Sequence, residues 1–417
     1  MSTSEKGLTR RNLLKGILAA GAAPLLIPAS AMGAAGRPAP SNRLAMGCIG
    51  IGGQGGGDMQ GFLGFSEVQV VAVCDVARSR REGAKRSVDQ RYGGAGCAAT
   101  ADFREVVGRP DIDLVMIATP DHWHATIAVA ALRGGKDVYC EKPESLTIRE
   151  GRIMVETARR YGRVFSGGSQ RVWGDYTWFH RMVRGGAIGE VQEVWVDVGD
   201  PSRECNLGSA PVPPDLDWDM WLGPAPWAPY HPDRCSAAYG GGSGFRAWRD
   251  YSGGMMTDWG AHHFGGALFA CNLHRTGPVE IIPPNGRDVR QLTYVFASGI
   301  RIHKNGGWSG PFSMRGTKGE IPARGGRGPA QPPDVFIQNY RGQGGIQGDF
   351  LYCVRTRERP FRDIEVAHRT ASFCHLGNIA WWLGRPLKWD PVKEEFVGDA
   401  EANRWLDRPK RAPWHLE

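Results

Sequence analysis

The sequence predicts an α/β domain built on a parallel sheet, followed by an α+β domain built on an open, mainly antiparallel sheet. Length gives the first indication, because 417 residues are too many for one small core. Between residue 44 and about residue 167, continuous apolar strands alternate with helices, which is typical of a parallel sheet covered on both faces. Beyond that point the strands alternate or become β-branched, and Pro- and Trp-rich loops separate them.

The first predicted domain covers residues 44–167 and the second covers residues 168–390, with a Pro-rich tail at 391–417. Strands of the first domain are predicted at 44–52, 68–75, 113–119, 137–140 and 163–167, and its helices at 78–91, 122–133 and 147–161. In the second domain we expect strands at 191–199 and 291–304, and helices at 255–270, 345–355 and 365–383.

The N-terminus predicts export. Arg10 and Arg11 precede a short apolar run at 16–27, and small residues end the segment at 29–31. This pattern indicates a signal peptide over residues 1–31, followed by a linker at 32–43 that is rich in Ala, Pro and Gly. The paired arginines are similar to a twin-arginine signal, which predicts the Tat export machinery as a partner and a periplasmic location. A Sec signal and an uncleaved anchor are the alternatives, and the apolar run is shorter than the ~20 residues that a membrane span needs.

Charge and cysteine content exclude some function classes. The net charge is +8, but the basic residues are scattered rather than clustered with aromatic residues, so we expect no nucleic-acid partner. The nine cysteines show no CxxC spacing, which predicts neither a metal cage nor a disulfide framework.

A glycine motif indicates the ligand of the first domain. Gly50, Gly52 and Gly55, with Gln54 among them, follow the first predicted strand and precede a helix. Such glycines permit a tight turn and let the backbone approach a pyrophosphate at a helix N-terminus. Asp75 ends the second predicted strand about 20 residues later, where a carboxylate binds the adenosine ribose. These residues predict a Rossmann NAD(P)-binding domain rather than a glycine-rich surface turn.

The choice between NAD and NADP stays open at this point. Asp75 favours NAD slightly, whereas Arg78 and Arg80 close behind it would tolerate NADP. Thr119, Pro120 and His124 follow another predicted strand, and ligands of such sheets bind at the carboxyl ends of strands. We therefore predict that these three line the cofactor site, although the histidine is alternatively a helix-start residue without a ligand role.

Two further motifs resemble one known family. Glu141-Lys142-Pro143 follows the strand at 137–140, and two glycines at 253–254 precede Asp258 and His262. Together with the glycine motif, they are similar to the Gfo/Idh/MocA dehydrogenases over residues 44–390, and the tail resembles an exported subgroup of that family. The resemblance implies that Glu141 and Lys142 bind the cofactor, that Lys142 also contacts substrate, and that its proline peptide is often cis. It also implies a homodimer or homotetramer.

The residues themselves fit such chemistry. Oxidising a secondary alcohol needs a base for the hydroxyl proton while hydride leaves for the nicotinamide. Asp258 and His262 are spaced i, i+4 on one helix face, so we predict that the carboxylate supports the imidazole. Lys142 is predicted to stabilise the negative charge that develops on the reacting oxygen. The alternatives are an ordinary surface pair and half of a zinc site; no third ligand stands at suggestive spacing, and no metal is predicted.

Five residues in and around the loops near the predicted catalytic helix are candidate substrate ligands. Aromatic faces suit the apolar faces of pyranose rings, and arginine suits hydroxyls or a carboxylate. On this basis we predict substrate contacts for Arg171, Trp173, Arg246, Trp248 and His263, with packing in the core or a dimer interface as the alternative for many such residues.

The sequence therefore predicts an NAD(P)-dependent oxidoreductase that transfers hydride between a sugar or polyol carbon and the nicotinamide. The alternative is a redox-neutral enzyme with tightly bound NAD(P), such as a glycosidase, an epimerase or an aldose–ketose oxidoreductase. Export favours this alternative, because the periplasm offers little free nicotinamide and the cofactor would have to be regenerated in place. A non-catalytic sugar-binding protein is the third interpretation, and Lys142, Asp258 and His262 argue against it.

Overall fold

A computed structural model of the chain describes residues 38–39, 42–238, 243–306, 310–323 and 333–416. The predicted signal peptide at 1–31 and residues 32–37, 40 and 41 of the predicted linker lie outside these residues. Judged by contacts between residues, the chain up to Arg43 is separate from the rest, and the compact fold begins at Leu44. In the part of the chain that the structure describes, no helix is both long and apolar enough to cross a membrane.

The first sheet has six parallel strands in the order β3-β2-β1-β4-β5-β6. The strands are β1 Leu44–Ile49, β2 Val68–Cys74, β3 Ala98–Thr100, β4 Leu114–Ile117, β5 Asp137–Cys140 and β6 Phe165–Gly167. The predicted parallel α/β sheet is confirmed. The first strand ends earlier than predicted, because Gly50 adopts a left-handed backbone with φ +82° and turns the chain out of the sheet.

Helices cover both faces of this sheet. They are α1 Gly53–Leu63, α2 Arg78–Tyr92, α3 Phe103–Val107, α4 Asp121–Arg133 and α5 Ile148–Arg160. Helix α5 begins at a capping box, in which Thr147 accepts a hydrogen bond from the Glu150 amide and the Glu150 carboxylate accepts one from the Thr147 amide. All four residues of β4 are buried, as a strand covered on both faces requires.

The second sheet has eight strands in the order β12-β11-β7-β10-β9-β8-β13-β14. The strands are β7 Val191–Asp197, β8 Glu280–Ile282, β9 Thr293–Val295, β10 Arg301–Asn305, β11 Phe312–Gly316, β12 Gly319–Ile321, β13 Leu387–Asp390 and β14 Glu395–Phe396. Its neighbouring strands are antiparallel except for the parallel pair β7 and β10. The predicted, mainly antiparallel sheet is confirmed, and the single strand expected at 291–304 is an antiparallel pair, β9 and β10.

Further helices follow β6 along the chain, and several of them pack against the second sheet. They are α6 Arg171–Gly174, α7 Thr177–Arg184, α8 Trp218–Leu222, α9 Pro232–Cys235, α10 Met255–Asp258, α11 Gly260–Ala270, α12 Gly345–Thr356, α13 Ile364–Leu383 and α14 Ala400–Asn403. The single helix predicted at 255–270 is divided at Trp259 into α10 and α11.

Distant parts of the chain complete the core of the first sheet. Helix α12 buries Phe350 against Phe62 and Tyr139, with ring centroids 6.3 and 6.0 Å apart. Near the C-terminus, Trp414 packs edge-on against Trp123, with ring centroids 4.8 Å apart. The first core is therefore not made from residues 44–167 alone, which sequence periodicity did not indicate.

Candidate active site

A cleft of about 1050 Å³ opens where β1, β4 and β5 end, and we call it the central cleft. Its first wall is the glycine turn, to which Gly50, Gly52 and Gln54 contribute. A β-carbon on Gly50 would lie 2.7 Å from the Thr119 backbone nitrogen, and one on Gly55 would lie 1.9 Å from the Gly50 carbonyl oxygen. Only glycine fits at these two positions, so the backbone amides at the start of α1 stay open to a ligand.

Asp75 lies in the next wall of the cleft and stabilises the turns at Ile51 and Ala77 by accepting backbone hydrogen bonds. Its Oδ2 accepts a hydrogen bond from the Ile51 amide and its Oδ1 accepts one from the Ala77 amide, both at 2.8 Å. The carboxylate is buried, and this burial raises its pKa.

A segment of the second domain holds the turn that follows Asp75. Asp215 accepts hydrogen bonds from the Ser79 amide at 2.9 Å and from the Ser79 hydroxyl at 2.6 Å. The Asp215 carbonyl also accepts one from the Arg78 amide at 2.9 Å. The two domains are thus joined beside this end of the central cleft.

The end of β4 supplies a third wall, on which Thr119, Pro120 and Asp121 lie. The structure corrects the predicted role of His124, which is buried in α4 and is not a lining residue of the cleft. Its ring nitrogens each lie 2.8 Å from a backbone carbonyl, Nδ1 at Pro143 and Nε2 at Thr119. His124 therefore ties the two loops that form the cleft instead of contacting a ligand there.

Lys142 lies where the two domains meet, beside Glu141 in the cleft wall, and its peptide bond to Pro143 is cis. Its Nζ donates to Oδ1 of Asp258 at 2.9 Å, and Nε of Arg246 donates to the same oxygen at 3.1 Å. Burial alone would raise the pKa of Asp258, but the charges of Lys142 and Arg246 hold it below its usual value. A buried carboxylate shared by two cations thus fixes the lysine.

His262 is oriented by a serine that the sequence did not identify as functional. Ser169 Oγ donates to the Ala261 carbonyl at 3.0 Å and lies 2.8 Å from Nδ1 of His262. Because the single hydroxyl hydrogen is used at Ala261, the serine oxygen accepts the Nδ1 hydrogen, and Nε2 is left with its lone pair. Burial, together with the charge of Lys142, lowers the pKa of His262 well below its usual value, so the ring is neutral.

This arrangement corrects the predicted support of His262 by Asp258. The carboxylate accepts hydrogen bonds from Lys142 and Arg246, whereas the imidazole pairs with Ser169. The i, i+4 spacing brings the two residues to one side of the helix pair, but the break at Trp259 separates α10 from α11. Asp258 therefore acts on the lysine.

Asp121 is another site residue that the sequence analysis missed. It is buried, lies in the wall of the central cleft, and accepts a hydrogen bond at 2.7 Å from Ser252, just before the two glycines of the second motif. Burial raises the pKa of Asp121 to about 7. The signal in the sequence was its place directly after Thr119 and Pro120, at the carboxyl end of a strand.

The predicted substrate residues fall into three places. Arg246 lies in the central cleft beside Asp258. Arg171 and His263 line a separate depression of about 740 Å³, together with Trp259, over whose ring the Arg171 guanidinium lies at 5.3 Å. Trp259 also contacts the rings of His262 and His263, which lie in helix α11. The depression therefore lies beside the start of this helix.

The two predicted substrate tryptophans pack against other aromatic residues, and neither lines the central cleft. Trp173 packs edge-on against Phe269 and Phe361, with ring centroids 6.4 and 5.9 Å apart. Trp248 is buried in a second aromatic cluster and donates its indole hydrogen to the Asp233 carbonyl at 3.1 Å. Sequence position near the catalytic helix did not separate core residues from site residues, because both kinds of aromatic residue occur in its flanking loops.

The central cleft suits a dinucleotide. The glycine turn leaves space above the amides of α1, and both Asp75 and Lys142 line the same cleft. Among the residues that the structure describes, no group of three or more His, Cys, Asp or Glu side chains is arranged to hold a metal ion.

Family models match both halves of the chain. The model described as "Oxidoreductase family, NAD-binding Rossmann fold" matches residues 44–169, and the one described as "Oxidoreductase family, C-terminal alpha/beta domain" matches residues 195–416. These matches agree with the two sheets seen in the structure.

Curated relatives are similar to this chain over part of its length. The chain is 30% identical over 158 residues to an alpha-N-acetylgalactosaminidase of Shewanella oneidensis, which is 37% of this chain and 34% of that one. It is 33% identical over 124 residues to a glycosyl hydrolase family 109 protein of Solibacter usitatus, 28% of each chain. The matched region thus spans about a third or less of these relatives.

Two solved structures share the fold over most of the chain. An aldose-aldose oxidoreductase of Caulobacter crescentus, complexed with glycerol, is 20% identical with a TM-score of 0.59, covering 83% of this chain and 99% of that one. A scyllo-inositol dehydrogenase of Lactobacillus casei, with bound NAD(H) and scyllo-inositol, is 15% identical with a TM-score of 0.56 and the same coverage. At such identities the likeness concerns the fold alone.

Proposed function

We propose that this chain, which belongs to the Gfo/Idh/MocA family of NAD-binding oxidoreductases, transfers hydride between a hydroxyl-bearing carbon of a sugar or polyol and NAD(P). One observation carries the proposal: Lys142, held by Asp258, lines one end of the central cleft, and the neutral ring of His262 lies close enough for the charge of Lys142 to lower its pKa. Both a proton acceptor and an oxyanion stabiliser are therefore present where a nicotinamide would end.

The chemistry divides between these residues. NAD(P)⁺, when bound, supplies the hydride acceptor. His262 accepts the hydroxyl proton at Nε2, and the Lys142 ammonium donates a hydrogen bond to the same oxygen as its negative charge grows. Asp258 and Arg246 hold the lysine in place, and Ser169 holds the imidazole. The alcohol thus loses a hydride and a proton and becomes a carbonyl compound.

The polar character of the catalytic end supports a polyhydroxylated substrate. Arg246 and Asp121 lie in the cleft wall near Lys142 and offer a guanidinium and a carboxyl group to neighbouring hydroxyls. The solved structures with this fold include a scyllo-inositol dehydrogenase and an aldose-aldose oxidoreductase, in line with a sugar or polyol.

A second candidate is a redox-neutral glycosidase that regenerates its cofactor in each cycle. The glycosyl hydrolase family 109 relatives favour it. Such a reaction needs a second acid–base group, because a leaving group must be protonated besides the hydroxyl that is oxidised. Asp121 meets this need, since it lies in the same cleft and burial raises its pKa to about 7.

The predicted twin-arginine signal leads to a related proposal: the protein crosses the membrane already folded and reaches the periplasm with its nucleotide inside. Homo-oligomerisation through the open sheet of the second domain is proposed on family grounds.

Product analysis tests the proposed function and separates the two candidates. The purified protein is first denatured and any released NAD(H) or NADP(H) is identified by chromatography. The folded protein is then supplied with NAD⁺ or NADP⁺ and a panel of cyclitols, aldoses and aryl glycosides, and absorbance at 340 nm is followed together with product mass.

Net reduced cofactor with a carbonyl product supports the dehydrogenase. Cleaved glycoside without net reduction supports the redox-neutral candidate. A substrate deuterated at the oxidised carbon adds a direct readout, because hydride transfer moves the deuterium to the cofactor. A carbonyl product formed without deuterium in the reduced cofactor contradicts hydride transfer in the dehydrogenase. In the redox-neutral candidate the deuterium returns to the same carbon, so full glycoside cleavage by protein stripped of its nucleotide is the result that contradicts hydride transfer there.

A further inference from the structure

Helix α8 belongs to the second domain but helps to line the nucleotide end of the central cleft. Met220 and Trp221 contribute to the wall of the cleft. The residue that precedes the helix, Asp217, donates its backbone amide hydrogen to the Val76 carbonyl at 3.1 Å. Since Val76 follows Asp75 at the carboxyl end of β2, the helix begins beside the turn at which a ribose would bind.

The other end of α8 lies on Trp123 of helix α4. The indole Nε1 of Trp123 donates to the carbonyls of Met220 and Trp221 at 3.1 and 3.0 Å. Gly223 ends the helix with φ +49°, and a β-carbon there would lie 2.0 Å from the Trp123 ring. Only glycine permits this contact. Helix α8 therefore spans the nucleotide end of the cleft from β2 to α4.

The C-terminal tail binds α8 on the side away from the cleft. Arg411 donates from Nη2 to the Asp219 carbonyl at 2.8 Å and from Nε to the Gly223 carbonyl at 2.9 Å, and its Nη1 pairs with the Asp219 carboxylate. The Arg411 amide donates to the Pro224 carbonyl at 3.0 Å. One side chain thus binds both the helix and the residue that ends it.

The tail is itself anchored in the first domain. Trp414 is buried, and its ring centroid lies 4.8 Å from that of Trp123. Arg133 of helix α4 donates to the Leu416 carbonyl at 2.7 Å. Arg411 lies just before this anchor, and its carbonyl accepts a hydrogen bond from the Trp414 amide at 3.0 Å. Because Trp123 contacts the cleft, α8 and the tail at once, the tail restrains α8 against the first domain.

Most of this restraint comes from the two carbonyl contacts. The Asp219 side chain is 75% exposed, and an ion pair in such a position contributes little. The Arg411 side chain is 22% exposed, and hydrogen bonds from a charged donor are stronger than those between neutral groups. Loss of the guanidinium should therefore loosen α8 more than loss of the carboxylate.

We propose that α8 closes the nucleotide end of the central cleft over a bound NAD(P), and that Arg411 slows the exit of the nucleotide by holding α8 in place. Arg411 is a positioning residue, because it lies outside the lining of the cleft. The inference rests on the proposed function, which puts a nicotinamide dinucleotide in the cleft. A slow exit suits the redox-neutral candidate in particular, since a cofactor that is regenerated in place has no need to leave.

Isotope exchange tests the inference without any turnover. The full chain is loaded with unlabelled NAD⁺ or NADP⁺, whichever it retains, and mixed with an excess of the same nucleotide in deuterated form. Samples are desalted and denatured at intervals, and chromatography with mass detection gives the labelled fraction and hence the rate of exit. Arg411→Ala should exchange about tenfold faster than wild type, because its hydrogen bonds to α8 are lost while those of Trp123 remain.

Two variants test whether the contact with α8 is the cause. Asp219→Ala should exchange at most about threefold faster, because only the exposed ion pair is lost. Combining it with Arg411→Ala should give the rate of Arg411→Ala alone, since both substitutions remove the same contact. Independent effects in the combined variant would show that Arg411 does not act through α8.

Two more variants guard against a general loosening of the tail. Arg411→Lys keeps the charge but not the planar fork that reaches both carbonyls, so its exchange rate should lie between wild type and Arg411→Ala. Arg404→Ala is the matched control. This arginine is exposed in the same tail, its side chain makes no hydrogen bond or ion pair with the described residues, and its removal should leave the exchange rate unchanged.

The results that overturn the inference differ from those that overturn the proposed function. Unchanged exchange in Arg411→Ala, an equal rise in Arg404→Ala, or a wild type that binds the nucleotide but loses it during desalting removes the role given to Arg411. If Arg411→Ala is unfolded by circular dichroism, Arg411→Lys decides, and wild-type exchange in that variant has the same meaning. A wild type that binds neither nucleotide in a titration contradicts the proposed function itself.

Discussion

The two ends of the central cleft are constructed differently. At the nucleotide end, the glycine turn and Asp75 come from one continuous stretch of about 25 residues, with Ile51 and Asp75 joined by a hydrogen bond. At the catalytic end, Lys142 and Asp258 are 116 residues apart in the chain, and Ser169 and His262 are 93 apart. Local sequence determines the first end, whereas the packing of two domains determines the second.

The difference extends to the charges. Arg80 at the nucleotide end is exposed and has no partner among the described residues, while Asp258 at the catalytic end is 3% exposed and shared by two cations. Exposed charges contribute little to stability and are free to meet ligands, whereas a buried, paired charge fixes a geometry. Substitutions at the catalytic end should therefore affect chemistry far more than nucleotide binding.

Lys142→Met should have the largest effect on turnover, and it should affect the catalytic end of the central cleft alone. Turnover should fall by about a thousandfold or more, because both the hydrogen bond to the reacting oxygen and its positive charge are lost. Arg246 still pairs with Asp258, so the carboxylate keeps a partner and the fold should survive. Steady-state rates measure the effect, and nucleotide release after denaturation shows whether the other end is intact.

Lys85→Met is the matched control, since Lys85 pairs with Asp89 on helix α2 and lies outside the cleft. It should leave turnover unchanged. Wild-type turnover in Lys142→Met would contradict the role given to the lysine and with it the proposed site.

Ser169→Ala should have an intermediate effect. Without the serine oxygen, Nδ1 of His262 loses its hydrogen-bond acceptor and the ring no longer favours the tautomer with a free Nε2. We expect kcat to fall about tenfold to a hundredfold with little change in KM.

The acid limb of the wild-type pH–rate profile should lie below pH 6.5, because the pKa of His262 is lowered and the neutral ring is the active form.

Ser166→Ala provides the comparison for this variant. Ser166 is equally buried, and its hydroxyl has no hydrogen-bond partner in the described ranges. Its removal should leave kcat unchanged. An equal loss of kcat in both serine variants would indicate a packing effect and not a tautomer effect.

Asp215→Ala should give the smallest effect, and it acts on the nucleotide end. Loss of the contacts to Ser79 loosens the turn that follows Asp75, so nucleotide should dissociate a few-fold faster while kcat changes little. Stopped-flow displacement of a bound fluorescent NAD analogue measures the rate. Asp111→Ala, at a surface pair with Arg109, should leave that rate as in wild type, and unchanged dissociation in Asp215→Ala would show that the contact does not restrain the cofactor.

Much of the first domain could be predicted from the sequence because periodicity and glycines act locally. The parallel sheet is confirmed, and β5 has the predicted bounds. Short elements such as β3 and α3 were missed, since three to five residues carry too little pattern. The break at Trp259 was also missed, because its residues are compatible with one continuous helix.

The hydrogen-bond partners of the proposed catalytic residues could not be predicted from the sequence. Lys142 and His262 were identified from motifs, but the sequence did not indicate that Ser169 would orient the ring or that Arg246 would share Asp258. Hydrogen bonds between residues so distant in the chain depend on how the two sheets pack. The sequence also could not show that Trp173 and Trp248 pack against aromatic clusters, because an aromatic residue suits a sugar face and a core equally well.

The contributions of Phe350 and Trp414 to the first core have a consequence for the order of events during synthesis. The ribosome makes strands β1 to β6 well before it makes these two aromatic residues, so two apolar clusters of the first sheet emerge incomplete. They are completed only after Phe350 and Trp414 have been synthesised. Completion of the nucleotide-binding half therefore waits for residues made much later than its strands, and a chain truncated before residue 345 would expose an unfinished apolar core.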